Sequence, residues 1–365
     1  EMQALKAHIG DAEFELKALE EEFTGLMYTM PNLPADDVPV GPDEHHNRVL
    51  REVGEKPRFD FRPLGYLELG EKLDLIDTCR AAKVSGSRFS YLTHEAPLLE
   101  FAIVQYVFSR LTNADWLGNV VRRAGLDVAS KPFIPLVPPV LVRPEAFRAM
   151  GKLDPGQEEE RYFLPKDNLY LVGSAEHSTG PLHMEEILEE GKLPHRHIAF
   201  STSFRREAGS YGKDTKGIMR VHQFDKLEMF SFAHPGHSVV EHDFFLALQE
   251  AMMTELGLPY RVVLVCTGDT VWDGVKQYDI ETWLPGSDGG IYRETHSTSN
   301  STDFQARRLG TKFRTADGKT DFVHTVNGTA FAIGRTLIAI LENYQQADGS
   351  VAVPEVLLPH MHGIT

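Results

Sequence analysis

The first 28 residues carry apolar side chains at alternating steps of three and four positions. The repeat comprises Met2, Leu5, Ile9, Ala12, Leu16, Leu19, Phe23 and Leu26. This heptad pattern predicts an amphipathic helix whose apolar seam packs against a partner. The helix should end at Pro31 and Pro34, because proline cannot continue it. No second run of matching length and period follows, so the seam either lies on the globular body or lacks its partner helix.

Two strand-like runs, 198–205 and 219–230, flank a loop that holds Gly209, Gly212 and Gly217. Side chains alternate along a strand, so one face of the second run carries a mixed set: Arg220, His222, Phe224, Lys226 and Glu228. At about 3.3 Å per residue this face spans about 26 Å. A cation for phosphate, a ring for a base and an anion for an amine fit ATP beside an amino acid. An amphipathic hairpin with a solvated charged face fits the same spacing.

Beyond residue 63, helical periods and strand-like runs do not alternate regularly. The spacing predicts helices at 71–83, 96–111, 238–256 and 333–346. Many strand-like runs pair across loops, which favours an α+β fold with an antiparallel sheet over a doubly wound one. A polar, proline-bearing segment, 35–61, is predicted to be a linker. The sequence has no glycine-rich phosphate loop of the nucleotide-triphosphatase or dinucleotide type, so a nucleotide would be held in another way.

Composition narrows the class of protein. The chain has 365 residues, 42% of them hydrophobic and 25% charged, as is typical of globular proteins. With 37 basic and 53 acidic residues the net charge is −16. A protein of this sign does not attract the negative phosphates of nucleic acid over its whole surface. A local basic patch is still available from Arg122, Arg123, Arg143 and Arg148. No apolar run is long enough to cross a membrane, so no membrane partner is expected.

The chain has two cysteines, Cys79 and Cys266. Two thiols cannot build a four-thiolate zinc site or a disulfide framework. We expect both to be small, buried apolar residues in a protein of the reducing cytoplasm.

Three segments are similar to the three signature sequences of class II aminoacyl-tRNA synthetases, and specifically of seryl-tRNA synthetases. Residues 204–230, FRREAGSYGKDTKGIMRVHQFDKLEMF, resemble the second signature. Residues 131–143, KPFIPLVPPVLVR, resemble the first, with Pro139 as its proline, and residues 323–347, VHTVNGTAFAIGRTLIAILENYQQA, resemble the third. Segments 171–177 and 278–308 are similar to the same family. The resemblance runs in family order from about residue 33 to 361.

The resemblance implies a class II synthetase-type antiparallel β-sheet flanked by helices. It divides the chain into a partial helical arm (1–30), a linker (31–62) and a catalytic domain (63–365). The arm resembles only the returning helix of a tRNA-binding coiled coil. We therefore expect this chain to activate serine well and charge tRNA poorly, and its first helix to fray or fold back onto the body.

The implied activity is ATP-dependent activation of L-serine to seryl-adenylate and transfer to tRNA(Ser), with tRNA(Sec) as a second candidate acceptor. The implied cofactors are ATP, as a substrate, and Mg²⁺, without zinc. The protein is expected to be a homodimer, with the apolar segment 132–139 near its two-fold axis.

The resemblance also assigns residues. The catalytic set is Arg205, Glu294 and Arg335. The ATP-binding set is Arg205, Glu207, Arg220, Phe224, Glu294, Ser297 and Arg335, and the serine-binding set is Ser174, Glu176, Arg205, Glu228, Asn327 and Thr329. The metal ligands would be Glu294 and Ser297. Strict alternation puts these two on opposite faces of a strand, so a bulge near Thr295 is required.

The position of Arg335 indicates a phosphate contact independently of the family resemblance. It falls in the first turn of a helix predicted to begin near Ala332, where the helix dipole disfavours a cation and a bound phosphate would favour one. His296, where the family usually has serine, is not expected to be a ligand.

Two other functions stay open: a related ligase that passes the amino acid to a carrier protein or small molecule, and a non-catalytic binding module. Retention of Arg205, Glu228, Glu294 and Arg335 argues against the binding module.

Overall fold

The computed structural model describes residues 2–153, 157–208 and 216–365. These residues form ten α-helices: α1 (Met2–Tyr28), α2 (Tyr66–Lys72), α3 (Thr78–Ser85), α4 (Glu95–Leu111), α5 (Ala114–Ala124), α6 (Pro144–Ala149), α7 (Glu176–Thr179), α8 (Ser238–Glu255), α9 (Phe304–Leu309) and α10 (Ile333–Asn343). They form sixteen strands: β1 (Arg48–Val53), β2 (Ile76–Asp77), β3 (Tyr91–Leu92), β4 (Ile134–Leu136), β5 (Leu141–Val142), β6 (Phe163–Leu164), β7 (Leu169–Leu171), β8 (Ile187–Glu189), β9 (His195–Phe204), β10 (Gln223–Ala233), β11 (Tyr260–Leu264), β12 (Lys276–Leu284), β13 (Ile291–Thr302), β14 (Lys312–Arg314), β15 (Thr320–Phe322) and β16 (His324–Ala332).

An eight-stranded sheet in the order β1-β11-β12-β13-β16-β10-β9-β4 forms the centre of the protein. Its neighbours run antiparallel except for the edge pair β4 and β9, which is parallel. Helix α8 packs on β13 and β16, and α10 packs on β10 and β12. The main core contains fully buried side chains such as Phe244, Phe245, Phe331 and Ile338. The predicted α+β fold, an antiparallel sheet flanked by helices, is confirmed.

Most helix predictions are also confirmed, with one exception. Helices α4 and α8 match 96–111 and 238–256 within one residue at each end, and α10 ends three residues before the predicted 346. The single helix predicted at 71–83 is wrong. Asp74 takes a left-handed conformation (φ 54°), which ends α2, and Asp77 caps a new helix by accepting a 2.8 Å hydrogen bond from the Arg80 amide.

The predicted hairpin is formed by β9 and β10. The second strand begins at Gln223 rather than 219, so Arg220 and His222 precede it and the predicted common strand face holds only for Phe224, Lys226 and Glu228. The loop residues Gly209 and Gly212 lie outside the described residues. Gly217 has φ 84°, and a Cβ there would lie 2.2 Å from the Tyr66 hydroxyl, so this position requires glycine.

Helix α1 is continuous, and its apolar seam faces solvent: Leu5 is 57% exposed and Phe23 65%. The helix therefore does not fold back onto the body among the described residues, and the expectation that it frays stays a prediction. The chain after it is tied to the body, since the Asn32 side-chain amide donates to the carbonyls of Asp273 and Ser301, both at 2.9 Å.

The segment predicted to be a linker contributes β1, an edge strand of the main sheet. The division at residues 30 and 62 stays a prediction. None of the helices in the described ranges is long and apolar enough to cross a membrane.

Candidate active site

A cavity of about 600 Å³ opens beside the central sheet. Ten of the twelve site residues predicted from the sequence line it: Ser174, Glu176, Arg205, Glu207, Arg220, Glu228, Glu294, Ser297, Asn327 and Thr329. The other two, Phe224 and Arg335, line an adjoining cavity of about 60 Å³, whose wall also includes Arg205, Glu207 and Glu294. The structure thus brings all twelve residues into one continuous site.

One end of this site gathers arginines around an aromatic ring. The half-buried Arg205 follows β9 directly, and its guanidinium carbon lies 5.3 Å from the centre of the Phe224 ring. The Arg205 Nε donates to the Gly173 carbonyl at 3.1 Å, which fixes the direction of the guanidinium. Burial, with the charge of Arg335 nearby, holds the pKa of Arg205 below its ordinary value. An anion would relieve this crowding of positive charge.

Arg335 is the third residue of α10, as predicted. Its guanidinium lies 3.2 Å from a carboxylate oxygen of Glu294 and donates to the Glu294 carbonyl at 2.9 Å. The dipole of α10 disfavours this cation, and Glu294 offsets that cost. Across the opening, Arg220 lies 3.8 Å from the carboxylate of Glu207.

The other end of the site holds buried carboxylates. Glu228 on β10 is 2% exposed, and its Oε2 lies 2.6 Å from the Lys226 ammonium. The same ammonium donates to the Ser174 hydroxyl at 3.3 Å. Burial raises the pKa of Glu228, while Lys226 opposes the shift. A buried anion requires a cation that is hydrogen-bonded to it, such as an ammonium group. This carboxylate can accept a second cation of that kind in addition to Lys226.

The second buried carboxylate belongs to Glu176, the first residue of α7. Its Oε1 lies 3.1 Å from the Lys152 ammonium and accepts hydrogen bonds from the side-chain amides of Gln305 (3.1 Å) and Asn327 (3.4 Å). The Glu176 backbone N–H donates to the Ser174 hydroxyl at 3.2 Å. This end of the cavity therefore offers ordered hydrogen-bonding groups for a small polar ligand.

The predicted bulge at Thr295 is present. The pairing of β12 with β13 runs from Ile280 opposite His296 directly to Glu281 opposite Glu294, so Thr295 is the extra residue. Because of this shift, Glu294 and Ser297 both line the large cavity. His296 instead turns into the core, 4.9 Å from the Phe331 ring, where burial lowers its pKa to about 3.

The side chains around this bulge determine whether the site can hold a metal ion. No group of three or more His, Cys, Asp or Glu side chains in the described ranges is arranged to hold a metal ion. Glu294 and Ser297 supply oxygen donors, and Asp279 lies opposite Ser297 on β12. Burial and the nearby Glu294 raise the pKa of Asp279 well above its ordinary value. Hard oxygen donors of this kind fit Mg²⁺ if phosphate oxygens and water complete its coordination.

Sequence reasoning missed several residues that line the large cavity, among them Lys152, Arg161, His177, Lys226 and Gln277, and it missed Asp273, which holds Lys152. Lys226 carried a usable signal, because it shares a strand face with Phe224 and Glu228. Lys152 and Asp273 carried none, since they are 121 positions apart and outside the segments that resemble a signature. His222 was placed on the ligand face, but it contacts the rings of Phe89 and Tyr162 and does not line either cavity.

Comparison with known proteins agrees with this geometry. Residues 162–344 match the class II core domain of the tRNA synthetases for G, H, P, S and T. The serine–tRNA ligase of Clavibacter michiganensis subsp. michiganensis is 46% identical over 364 residues, which is 100% of this chain and 80% of that relative.

Two solved structures are similar over nearly the whole chain. The seryl-tRNA synthetase from Pyrococcus horikoshii, complexed with ATP, superimposes with a TM-score of 0.85 at 37% identity, covering 97% of this chain and 79% of that one. The cytoplasmic serine–tRNA ligase from Naegleria fowleri, in complex with AMP, gives 0.84 at 32% identity, covering 98% and 73%. Identity of this level over four fifths of a serine–tRNA ligase establishes that the chain belongs to the seryl-tRNA synthetase family of class II aminoacyl-tRNA synthetases.

Proposed function

We propose that this protein uses ATP to convert L-serine to seryl-adenylate and then transfers the seryl group to the 3′ end of tRNA(Ser). The observation that carries the proposal is the distribution of charged groups along one cavity. Arginines and an aromatic ring stand at one end, and two buried carboxylates stand at the other. That arrangement holds a nucleotide triphosphate and an amino acid with their reacting groups side by side.

At the nucleotide end, Arg205 contacts the α-phosphate and the serine carboxylate. Adenine lies between the ring of Phe224 and the guanidinium of Arg335, which also reaches the terminal phosphate. Glu207 accepts a hydrogen bond from the adenine amine, and Arg220 contacts the triphosphate. Glu294 and Ser297 would hold Mg²⁺, which would neutralise phosphate charge when bound.

At the amino-acid end, Glu228 pairs with the serine ammonium. Ser174, Glu176, Asn327 and Thr329 surround the side-chain hydroxyl. A site built to hydrogen-bond this hydroxyl rejects alanine, because alanine leaves the buried polar groups unpaired.

Activation is an in-line displacement. A serine carboxylate oxygen attacks the α-phosphorus, a phosphoanhydride bond breaks, and pyrophosphate leaves. The protein contributes position and charge, since Arg205 contacts both reacting groups and stabilises the negative charge that builds between them. In the second step a terminal ribose hydroxyl of tRNA attacks the seryl carbonyl, and AMP leaves.

The transfer step needs a basic surface on an acidic protein. Arg122, Arg123, Arg143 and Arg148 are all exposed and provide cations for tRNA phosphates. A ligase that served a carrier protein would form the same adenylate but would not charge tRNA. Aminoacylation of tRNA(Ser) therefore separates the two functions.

The first experiment is serine-dependent exchange of pyrophosphate into ATP. The wild-type protein is expected to catalyse exchange with serine and not with alanine. Arg205→Ala should abolish exchange with the fold intact, because it removes the group placed between the two substrates. Undiminished exchange in this variant would overturn the role of Arg205, and absence of exchange in the wild type would overturn the function.

We also propose that the protein is a cytoplasmic homodimer. The edge strand β4 and the residues after it expose apolar side chains, with Ile134 51% and Val137 77% exposed. An apolar sheet edge of this kind is a surface that proteins cover. Cys266 is buried as predicted, but the prediction that Cys79 is buried is wrong, because its side chain is exposed. Both thiols are free, which fits a reducing compartment. Sedimentation at micromolar concentration should give twice the 41.0 kDa chain mass, and Pro139→Gly should weaken both the dimer and the activity.

A further inference from the structure

The Glu176 carboxylate is held from one side only. Its three donors, the Lys152 ammonium and the amides of Gln305 and Asn327, all point at Oε1. Glu176 lines the cavity, so Oε2 is the oxygen left for a ligand. A carboxylate with one saturated oxygen has a fixed orientation, which is what a binding site for a small polar substrate requires.

Lys152 is held in turn by Asp273. The ammonium lies 2.8 Å from Asp273 Oδ1, and the other oxygen of Asp273 accepts from Gln305 (2.7 Å) and Ser301 (3.1 Å). Asp273 is 1% exposed, and its carbonyl accepts the hydrogen bond from Asn32. Lys152 thus contacts two carboxylates, whereas among the described residues Lys226 lies within ion-pair distance of Glu228 alone.

We propose that Lys152 and Asp273 are positioning residues for the amino-acid substrate, because together they orient the Glu176 carboxylate toward serine. The proposal rests on the proposed function. Neither residue needs to touch the reacting atoms. Lys152 acts through Glu176, and Asp273 acts by preventing the ammonium from leaving Glu176 for the cavity.

Charge explains why the pair is required. Glu176 shares its end of the cavity with a second carboxylate, Glu228, whose pKa is raised by burial and raised further by the charge of Glu176. The charged groups around Glu176 are Lys152, Arg161, Arg205, Lys226, Asp273 and Glu228, with the neutral His177 beside them. Burial depresses the pKa of His177 well below its ordinary value, so it supplies no cation. Without Lys152, the nearest donor of positive charge to Glu176 is lost.

The test compares Lys152→Met, Asp273→Asn and the wild type in the exchange assay. Lys152→Met should raise the KM for serine about 10- to 100-fold and leave the KM for ATP within about twofold, since hydrogen bonds to a charged group are lost at one end only. Asp273→Asn keeps the shape of its side chain and should raise the serine KM in the same direction. The matched control is Lys276→Met, which removes an ion pair with Asp37 outside both cavities. It should leave both constants within about twofold.

The comparison of the two Michaelis constants separates positioning from a general loss of packing, because lost packing would shift the serine and ATP constants together. Melting temperatures confirm that the variants are folded, and Asp273→Asn carries the test if Lys152→Met does not fold. Unchanged serine KM in the folded variants, or equal shifts in the serine and ATP constants, would overturn the proposal. A wild-type protein without serine-dependent exchange would instead overturn the proposed function.

Discussion

Glu228→Gln is the sharpest single test of the amino-acid end of the site. The substitution keeps the shape of the side chain and removes its charge. Glu228 is 2% exposed and lies 2.6 Å from the Lys226 ammonium, so the substitution removes a buried charge from beside a cation. The serine ammonium would then face Lys226 without an intervening anion.

The expected magnitude follows from the burial of this contact. Removing one partner of a buried, hydrogen-bonded charge pair costs about 2–5 kcal/mol. That range corresponds to an increase in the serine KM of about 30- to 4,000-fold. The stranded Lys226 repels the substrate ammonium, which adds to the loss, so we expect at least about a 100-fold increase. The KM for ATP should change by less than about twofold, because the arginines of the nucleotide end are untouched.

Serine-dependent pyrophosphate exchange, titrated separately with serine and with ATP, measures both constants. The matched control is Glu250→Gln, which removes a carboxylate that pairs with Arg51 at 2.5 Å outside both cavities. The control should leave the serine KM unchanged. An increase below about tenfold in Glu228→Gln, with exchange retained, would refute the assignment of the ammonium to Glu228.

Three further predictions concern stability and tRNA. Burial raises the pKa of Glu100 to about 8, with a hydrogen bond to Asp225 adding to the shift. The folded state therefore keeps a proton on Glu100 that the unfolded chain releases near the ordinary pKa of glutamate. The free energy of unfolding falls as pH rises from that ordinary pKa to the raised pKa of the folded state. Glu100→Gln should remove this loss of stability and raise the melting temperature by about 2 °C at about pH 8. Glu241 forms a fully buried pair with Arg196 at 2.6 and 2.7 Å, so Glu241→Gln should cost about 3–5 kcal/mol and lower the melting temperature by about 4–6 °C. Finally, a chimera that adds an antiparallel helix to the exposed seam of α1 should lower the KM for tRNA and leave pyrophosphate exchange unchanged; an unaltered KM for tRNA would contradict the expected role of that surface.

Much of the fold and of the candidate site could be predicted because the signals were local or carried by the family resemblance. The periods of α4 and α8 located those helices, and the five segments that resemble the family supplied the twelve residues that the structure brings together. The wrong helix prediction also has a local cause, but that cause is not visible in the hydrophobic pattern. The helix predicted at 71–83 has a continuous pattern, yet the left-handed Asp74 interrupts it.

Lys152 and Asp273 show where sequence reasoning ends. Neither lies in a segment with periodic or signature character, and their ion pair exists only because the fold brings together positions 121 residues apart. A buried lysine between two carboxylates has no counterpart in any local pattern, so only the three-dimensional structure could reveal it.

The bulge at Thr295 shows how one residue changes the chemistry of a strand. Uniform alternation along β13 would place Glu294 on the same face as His296 and opposite Ser297. The extra residue reverses that relation, so Glu294 joins Ser297 at the cavity while His296 turns into the core. Bulges redirect side chains at the cost of disturbing the hydrogen-bond ladder, and they are over-represented beside active sites. The departure from the simple strand rule is therefore itself an indication of function, because it brings two oxygen donors to the place where the proposed reaction needs positive charge to be held.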